Sequence, residues 1–415
     1  MKKTIFVLCI VCLIFACGSG NPYSEIFASD LGSTNDSINV RTDLPWSIRL
    51  AESFIFRHPG SVTYDEHMTS DKWNYEQGVV LEGLRQVWLK TDDERYFDFI
   101  KNNIDQYVDD SGVIKTYKYS DFNLDNINTG RQVLFLYKKT HENKYKVAVD
   151  TLRKQLENQP RTKAGGFWHK KIYPYQMWLD GIYMGSPFYA EYTKMFGSKK
   201  DFDDITLQIL TVYKNTVDKK TGLLYHAWDE SKTQKWADPK TGKAPNFWGR
   251  AIGWYVMAIV DVLDYLPEDH PDRAKIIKIL QNVSDALLKV RDTKSGLWYQ
   301  VLDKGNKEGN YLEASCATMF TYAFAKGANK GYLNKKYLEI AKESFNSILK
   351  YHVVINDNGF IDLLHTCRGA GLGGNPYRDG TFEYYISEPQ RTNDFKGYGP
   401  LIMSAVELEK ACLIK

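Results

Sequence analysis

Apolar residues recur along most of the chain at intervals of three and four positions, which is the spacing of one face of an α-helix. In residues 73–91, for example, Leu81, Leu84 and Trp88 occupy such positions. The pattern predicts twelve helices, over residues 44–57, 73–91, 94–108, 126–140, 143–158, 181–196, 201–217, 247–265, 272–290, 311–328, 335–350 and 394–413.

Polar turns centred on glycine recur between these helices. Each turn is followed by an apolar or aromatic pair, as in KAGGFWHK and KSGLWYQ. The turn glycines are Gly60, Gly112, Gly166, Gly222, Gly296 and Gly359. Because glycine reaches positive φ without a steric penalty, we expect these residues in the left-handed region. The recurrence indicates one helical unit that is used repeatedly.

The predicted helices fall into pairs, except at the two ends of the series. The helix at 44–57 has no partner before it, so we expect it to pack beside the last helix, at 394–413. Six helix pairs can close into a ring in which the inner helices form a core and the outer ones shield it. We therefore predict an all-α fold, an (α/α)6 barrel, with an open helical superhelix as the alternative. In a closed ring the N-terminal ends of the inner helices meet at one mouth, where functional residues are expected.

The first twenty residues, MKKTIFVLCIVCLIFACGSG, are typical of a processing signal. Two lysines precede an apolar stretch that ends at a small residue followed by Cys17, as in a bacterial lipoprotein signal. We predict a lipoprotein signal over residues 1–17 that is cleaved before Cys17, lipidation at Cys17, a flexible tether over 18–39, and one (α/α)6 domain over 40–415. An ordinary secretory signal cleaved nearby is the alternative.

Either signal predicts an exported protein. With a lipid at Cys17, the chain would face the periplasm or be anchored at the outer membrane, in a leaflet that the sequence does not specify. No later stretch approaches the roughly 18–20 apolar residues of a membrane helix, so we expect contact with a membrane only through the lipid.

Composition narrows the choice of partners. The formal net charge is only +3 and no basic block stands out, which argues against nucleic acid. The chain has 10 Trp and 28 Tyr, whose flat rings suit a thick core or the faces of sugars. Outside the predicted signal the cysteines are Cys316, Cys367 and Cys412. Their spacing suggests no metal site and leaves one disulfide open.

One carboxylate interrupts an otherwise apolar stretch, residues 173–192, YPYQMWLDGIYMGSPFYAEY. Asp180 is its only charge before Glu191. A carboxyl among such neighbours loses water, which favours its protonated form near neutral pH and suits a general acid. The alternative is a helix N-cap, a common role for Asp that applies equally to Asp125 in LDNINTG.

Other polar residues are expected at the same mouth. His169 and His226 occupy equivalent turns of adjacent repeats, where they contact a ligand or serve as structural histidines. Arg250 and Trp254 are four residues apart and share a helix face, which suits a guanidinium for a substrate carboxylate beside a ring that stacks on a sugar. The alternative is a surface cation–π pair. Further candidates at helix starts are Asn74, Trp248 and Lys396.

Several motifs together resemble glycoside hydrolase family 105: MWLDGIYMGSPFYAEY, FWGRAIGWY, GLLYHAWDE, EASCATMF and RDGTFEYYISEPQRTNDFKGYGP. The resemblance runs from about Trp73 to Tyr398. It implies an (α/α)6 barrel with Asp180 as general acid/base and Asp125 as a second acidic residue. The positions that it assigns to the pocket are His169, Trp178, His226, Trp248, Arg250, Trp254 and, on a looser motif, Asn74.

The resemblance also implies a reaction. Family members act on oligosaccharides that end in a 4,5-unsaturated uronic acid, such as lyase-generated rhamnogalacturonan fragments. They protonate C4 of the vinyl ether and add water at C5, without a metal or an organic cofactor. The residues alone leave open an inverting glycosidase on saturated sugars or a non-catalytic glycan-binding lipoprotein. They do not distinguish galacturonyl from glucuronyl caps, the adjoining sugar, or the oligomeric state.

Overall fold

The computed structural model describes residues 40–62 and 72–415. Within these ranges the α-helices are α1 (Trp46–Arg57), α2 (Tyr75–Thr91), α3 (Glu94–Asp105), α4 (Gly130–Thr140), α5 (Asn143–Asn158), α6 (Leu179–Phe196), α7 (Asp201–Thr216), α8 (Gly249–Val262), α9 (Arg273–Lys289), α10 (Ala314–Asn329), α11 (Lys336–His352), α12 (Phe382–Ser387) and α13 (Phe395–Lys410). All twelve predicted helices are present, with ends that shift by a few residues. The sequence pattern missed α12 and the short 3₁₀ helices Tyr119–Asp121 and Leu124–Ile127. The predicted signal at 1–17, Cys17 and the tether at 18–39 lie outside the described residues.

Six short strands form three antiparallel pairs. They are β1 (Gln176–Trp178) with β2 (Ala227–Asp229), β3 (Val353–Ile355) with β4 (Ile361–Leu363), and β5 (Thr366–Cys367) with β6 (Gln390–Arg391). In the first pair Trp178 lies opposite Ala227. Since β1 runs directly into α6, this pairing sets the residues before β2 beside the start of that helix.

The helices form a closed double ring. The inner helices follow one another in the order α2, α4, α6, α8, α10 and α13, and α13 packs back against α2. Each outer helix covers an inner one, and α1 packs on α13. The prediction of an (α/α)6 barrel is confirmed, as is the pairing of the first and last helices. Contact between α13 and α2 excludes an open superhelix.

The inner and outer helices differ in the pattern of their apolar residues. Every residue of α8, an inner helix, is buried. The outer helix α11 buries a single face that includes Tyr337, Ala341, Phe345 and Ile348. One continuous apolar core runs from Leu44 to Leu408. In the described part of the chain, no helix combines the length and apolar character needed to span a membrane.

The turn glycines divide into two groups. Positive φ is found at Gly112, Gly222, Gly296 and Gly359, as predicted. The prediction was wrong for Gly60 and Gly166, which do not have positive φ. At the third turn the neighbouring Gly165 takes the left-handed conformation, with φ +88°. Gly166 is constrained by packing instead, because a Cβ there would lie 2.1 Å from the sulfur of Met177.

The turn at Gly359 gives a test of backbone strain combined with a clash. A Cβ at Gly359 would lie 2.0 Å from the carbonyl oxygen of Val40, whereas Gly331 has a similar positive φ and nothing within 4 Å. We expect Gly331→Ala to lower the free energy of unfolding by about 1 kcal/mol through backbone strain alone. Gly359→Ala should lower it by about 2–4 kcal/mol, because overpacking is added. Urea unfolding measures both, and equal losses would contradict a role for the Val40 contact.

A buried ionic network crosses the barrel interior. It joins five inner helices through Glu82, Arg85, Arg131, Glu191, Asp261 and Lys326. Arg131 lies 3.0 Å from Asp261 and 3.4 Å from Glu82, and Lys326 lies 2.7 Å from Asp261. Burial acts to raise the pKa of Asp261, but the charges of Lys326 and Arg131 outweigh it and the net pKa is lowered. The network therefore holds ionised groups within the ring.

Candidate active site

Asp180 lies in the first turn of α6, at the barrel mouth. The helix begins at Leu179 and its N-cap residue is Trp178, so the N-cap alternative for Asp180 is wrong. The Asp180 side chain is 13% exposed. Its Oδ2 atom is buried and makes no hydrogen bond to any described residue. The carboxyl is thus partly desolvated, as the apolar sequence suggested, and its protonation stays a prediction.

His226 is the nearest titratable neighbour of Asp180. Its backbone oxygen accepts a hydrogen bond from the N–H of Leu179 at 3.1 Å, so the β1–β2 pairing places it beside the start of α6. Nε2 of His226 lies 3.2 Å from Oδ2 of Asp180, a close contact that is not a hydrogen bond. On the other side of the ring, Nδ1 lies 2.7 Å from the hydroxyl oxygen of Tyr385. Sequence reasoning missed Tyr385 because it lies on α12, which is too short to show periodicity.

Asp125 lies in the 3₁₀ helix Leu124–Ile127, where Asn123 is the N-cap and accepts the N–H of Asp125. The N-cap alternative therefore fails here too. The Asp125 carboxyl is 3.4 Å from Nε2 of His169 and 2.5 Å from Nζ of Lys170. Burial acts to raise the pKa of Asp125, but the Lys170 ammonium and His169 outweigh it, so the pKa is lowered. Asp125 is accordingly a carboxylate, held by a lysine that the sequence analysis missed.

His169 belongs to a stack of three rings. Its ring packs on Trp178 at 4.7 Å between centroids, and Tyr173 packs on Trp178 at 4.9 Å, nearly parallel to the His169 ring and 6.4 Å from it. Burial lowers the pKa of His169 to about 4 despite the nearby Asp125, so its imidazole is neutral at physiological pH. Asp125, Asp180 and His226 all act on this pKa. The two predicted carboxyls and the two predicted histidines therefore form one cluster.

Arg250 is buried inside the barrel, 1% exposed. Its Nη1 donates to the carbonyl oxygen of Cys367 at 2.6 Å and to the hydroxyl of Ser315 at 3.2 Å. Nη2 has no hydrogen-bond acceptor among the described residues. The guanidinium carbon lies 4.9 Å from the ring centroid of Trp248. The cation–π partner is therefore Trp248 and not Trp254, and the pair is not at the surface.

The predicted tryptophans form walls and expose little surface. Trp178 is 5% exposed, and Trp248 and Trp254 are each 1% exposed. Trp254 stacks on Tyr183 with ring centroids 4.9 Å apart, and the indole N–H of Trp248 donates to Gln300. Contact of these rings with a sugar stays a prediction.

Asn74 and Lys396 lie at the starts of the neighbouring helices α2 and α13. Asn74 is the N-cap of α2, and its side-chain amide donates to Glu76. Lys396 is buried and forms ion pairs with Glu76 and, at 2.9 Å, with Asp394. Its charge is thus balanced by protein carboxylates, and its role in substrate binding stays a prediction. Tyr75, which the sequence analysis missed, lies close enough to Asp125 for that carboxylate to raise its pKa.

The three cysteines of the described chain are free thiols, so the disulfide left open by the sequence does not form. Cys316 and Cys367 are buried around Glu313, whose carboxylate accepts both of their backbone N–H groups. In the described ranges no three His, Cys, Asp or Glu side chains converge as metal ligands would.

The Lys170–Asp125 pair predicts a shift in pH dependence. Lys170→Met removes the largest charge that lowers the pKa of Asp125, so that pKa should rise. Since the carboxylate exists only above its pKa, the acidic limb of the kcat/KM profile should move to higher pH by about one unit, which is tenfold in protonation. Lys171→Met changes the exposed neighbour and should leave the limb in place. An unmoved limb in Lys170→Met would show that Asp125 is not needed as an anion.

Comparison with known proteins agrees with this architecture. Residues 46–412 match the family described as Glycosyl Hydrolase Family 88. A solved family 105 glycoside hydrolase from C. acetobutylicum ATCC 824 is 47% identical, with a TM-score of 0.85; the match covers 88% of this chain and 100% of that one.

Two curated relatives are also similar. Protein Atu3128 of Agrobacterium fabrum is 37% identical over 54% of this chain and 97% of its own length. Unsaturated rhamnogalacturonyl hydrolase YesR of Bacillus subtilis is 26% identical over 64% of this chain and 73% of its own length. The chain is a glycoside hydrolase and belongs to glycoside hydrolase family 105.

Proposed function

We propose that this enzyme removes a 4,5-unsaturated galacturonic or related uronic acid from the non-reducing end of lyase-generated oligosaccharides, such as unsaturated rhamnogalacturonan fragments. The observation that carries the proposal is the juxtaposition at the mouth of a partly desolvated carboxyl, Asp180, and an ionised one, Asp125. The similarity to an unsaturated rhamnogalacturonyl hydrolase supports the substrate class.

In the proposed reaction Asp180 donates its proton to C4 of the vinyl ether, which leaves a positive charge shared by C5 and the ring oxygen. Water adds at C5, and the Asp180 carboxylate takes a proton from it. The hemiketal then opens between C5 and the ring oxygen, and the resulting hemiacetal at C1 expels the remaining sugar as an alcohol. One water is consumed, and Asp180 ends protonated as it began.

The charges of the site suit these reaction steps. Asp125 is held as a carboxylate by Lys170, so it can stabilise the positive charge that develops in the transition state. The Nη2 amino group of Arg250 has no acceptor among the described residues, and we assign this group to the carboxylate of the substrate. An acidic sugar therefore has a counter-charge within the barrel.

An absorbance assay tests the proposal. The purified enzyme is added to a panel of lyase-generated disaccharides with galacturonyl or glucuronyl caps, and absorbance of the unsaturated bond is followed. We expect the absorbance to fall for at least one member, with release of the adjoining sugar. Saturated chromogenic glycosides serve as the matched control. Cleavage of these with no loss of absorbance would indicate an inverting glycosidase, and binding without either reaction would indicate a glycan-binding protein.

We also propose, from the sequence of residues 1–17 alone, that the mature enzyme is an exported lipoprotein with its lipid on Cys17. Expression with labelled palmitate should give a labelled protein in the membrane fraction. Cys17→Ser should abolish the labelling, whereas Cys12→Ser, inside the predicted signal, should not. Equal labelling of all three proteins would contradict the assignment.

A further inference from the structure

Three side chains form a line that leads away from the proposed acid. Oδ2 of Asp180 lies 3.2 Å from Nε2 of His226, and Nδ1 of His226 lies 2.7 Å from the Tyr385 hydroxyl. The histidine and the tyrosine are both fully buried. The rings of Trp178 and Trp248 pack against the imidazole at 5.3 and 4.8 Å. The imidazole therefore meets polar atoms at its two nitrogens and aromatic rings elsewhere.

Tyr385 is held in a fixed position. Its ring stacks on Trp248 at an angle of 24° between the planes. Its backbone oxygen accepts a hydrogen bond from Gln300, and the same Gln300 side chain accepts the indole N–H of Trp248. This arrangement fixes the distance between the hydroxyl and Nδ1.

The position of one proton follows from this geometry. Burial raises the pKa of Tyr385 well above its usual value, so the hydroxyl keeps its hydrogen. Among the described residues the only hydrogen-bond partner of that hydroxyl is Nδ1 of His226. A buried O–H without an acceptor is costly, so it donates to Nδ1, which must then be unprotonated. The hydrogen of the imidazole is left on Nε2, toward Asp180.

We propose that Tyr385 is a positioning residue that fixes His226 as the Nε2–H tautomer and thereby keeps the acidic proton of Asp180 off Oδ2. Because the Nε2–H group lies beside Oδ2, with 3.2 Å between the nitrogen and the oxygen, a second hydrogen on Oδ2 would be repelled, and we place the proton of the carboxyl on Oδ1. Oδ2 is buried, so the exposed part of the side chain lies among its other atoms. The second half of the inference, which concerns transfer of that proton to substrate, rests on the proposed function.

Loss of the hydroxyl should release the constraint. In Tyr385→Phe, His226 can place its hydrogen on Nδ1 and present a bare Nε2 to Asp180. That nitrogen would accept the proton of the acid and hold it on the buried oxygen, away from the substrate. The proton then has to move before it can reach C4, which slows the chemical step but leaves the binding contacts in place.

Nitrogen NMR of the imidazoles tests the first half without any substrate. The full chain is labelled with 15N-histidine, and the His226 signals are assigned by their loss in His226→Gln. We expect a protonated Nε2 and an unprotonated Nδ1 in the native enzyme, and a mixture or the opposite tautomer in Tyr385→Phe. The matched control is Tyr384→Phe, on the same helix, whose hydroxyl accepts the N–H of Gly371 instead. It should leave the His226 signals unchanged.

Kinetics test the second half. With an unsaturated disaccharide, Tyr385→Phe should lower kcat about tenfold or more and change KM less than twofold, while Tyr384→Phe should change neither as much. The inference would be overturned if the native enzyme had a doubly protonated His226 or a protonated Nδ1. It would also be overturned if the His226 signals were the same in Tyr385→Phe as in the native enzyme. If Tyr385→Phe changes the tautomer of His226 but leaves kcat unchanged, the catalytic half of the inference would be overturned. If no unsaturated substrate reacts, the proposed function fails, and the NMR result still decides the tautomer.

Discussion

Asp180→Asn is expected to remove most of the turnover and to leave the fold and substrate affinity nearly unchanged. The amide keeps the size of the carboxyl but has no acidic proton to give to C4. General acid/base groups typically contribute about 10²–10⁴-fold, so kcat should fall by at least about a hundredfold. Initial rates by loss of ultraviolet absorbance, with calorimetry for binding, measure the two effects separately.

The control for this variant is Asp98→Asn, which alters an exposed carboxyl on the outer helix α3. It should retain full activity. Retention of turnover in Asp180→Asn would leave the proposed reaction without its acid. If the native protein shows no turnover and Asp180→Asn binds the glycan as tightly as the native protein does, the glycan-binding alternative would be favoured.

Arg131→Met is expected to destabilise the barrel by about 3–5 kcal/mol, the usual effect of removing one member of a buried ion pair. Arg131 is 4% exposed and lies between Asp261 and Glu82, which are each 1% exposed. Without the guanidinium both carboxylates keep their desolvation penalty and lose attraction. Urea unfolding at neutral pH gives the free energy of unfolding for the variant and the native protein.

Lys199→Met is the matched control, because its ion pair with Asp269 lies at the surface, with side chains 59% and 72% exposed. It should lower the free energy of unfolding by less than about 1 kcal/mol. If both variants lose the same amount, the interior network does not carry the stability assigned to it.

The helices and their ring were accessible from the sequence because apolar periodicity is a local signal that repeats over many residues. The cluster of Asp125, His169, Asp180 and His226 was accessible for a related reason, since equivalent turns of a closed ring must meet at one mouth. A charge surrounded by apolar letters, as at Asp180, marked a carboxyl that is partly withdrawn from water.

The features that the sequence did not reveal depend on contacts between segments that are distant along the chain. Lys170 looked like one of many surface lysines until the fold placed it against Asp125. Tyr385 is 159 residues from His226 and lies on a helix too short to predict. The sequence also could not show that the side chain of Arg131 points into the barrel, because a single charged residue in a helical segment reads the same whether it faces solvent or the interior. The need for glycine at position 166 comes from Met177, a tertiary neighbour that leaves no room for a Cβ.

Closure of the ring by α13 has a consequence for how the chain folds. Lys396 of α13 pairs with Glu76 across 320 residues of sequence, and the hydroxyl of Tyr398 donates to Leu50 across 348. Contacts of such long range form slowly, because the entropy of closing the loop is lost before they are made. The ring therefore cannot be completed until α13 has been synthesised. Until then the apolar flanks of α2 and α10 stay uncovered, and exposed apolar surface of this kind makes an incomplete chain prone to aggregation.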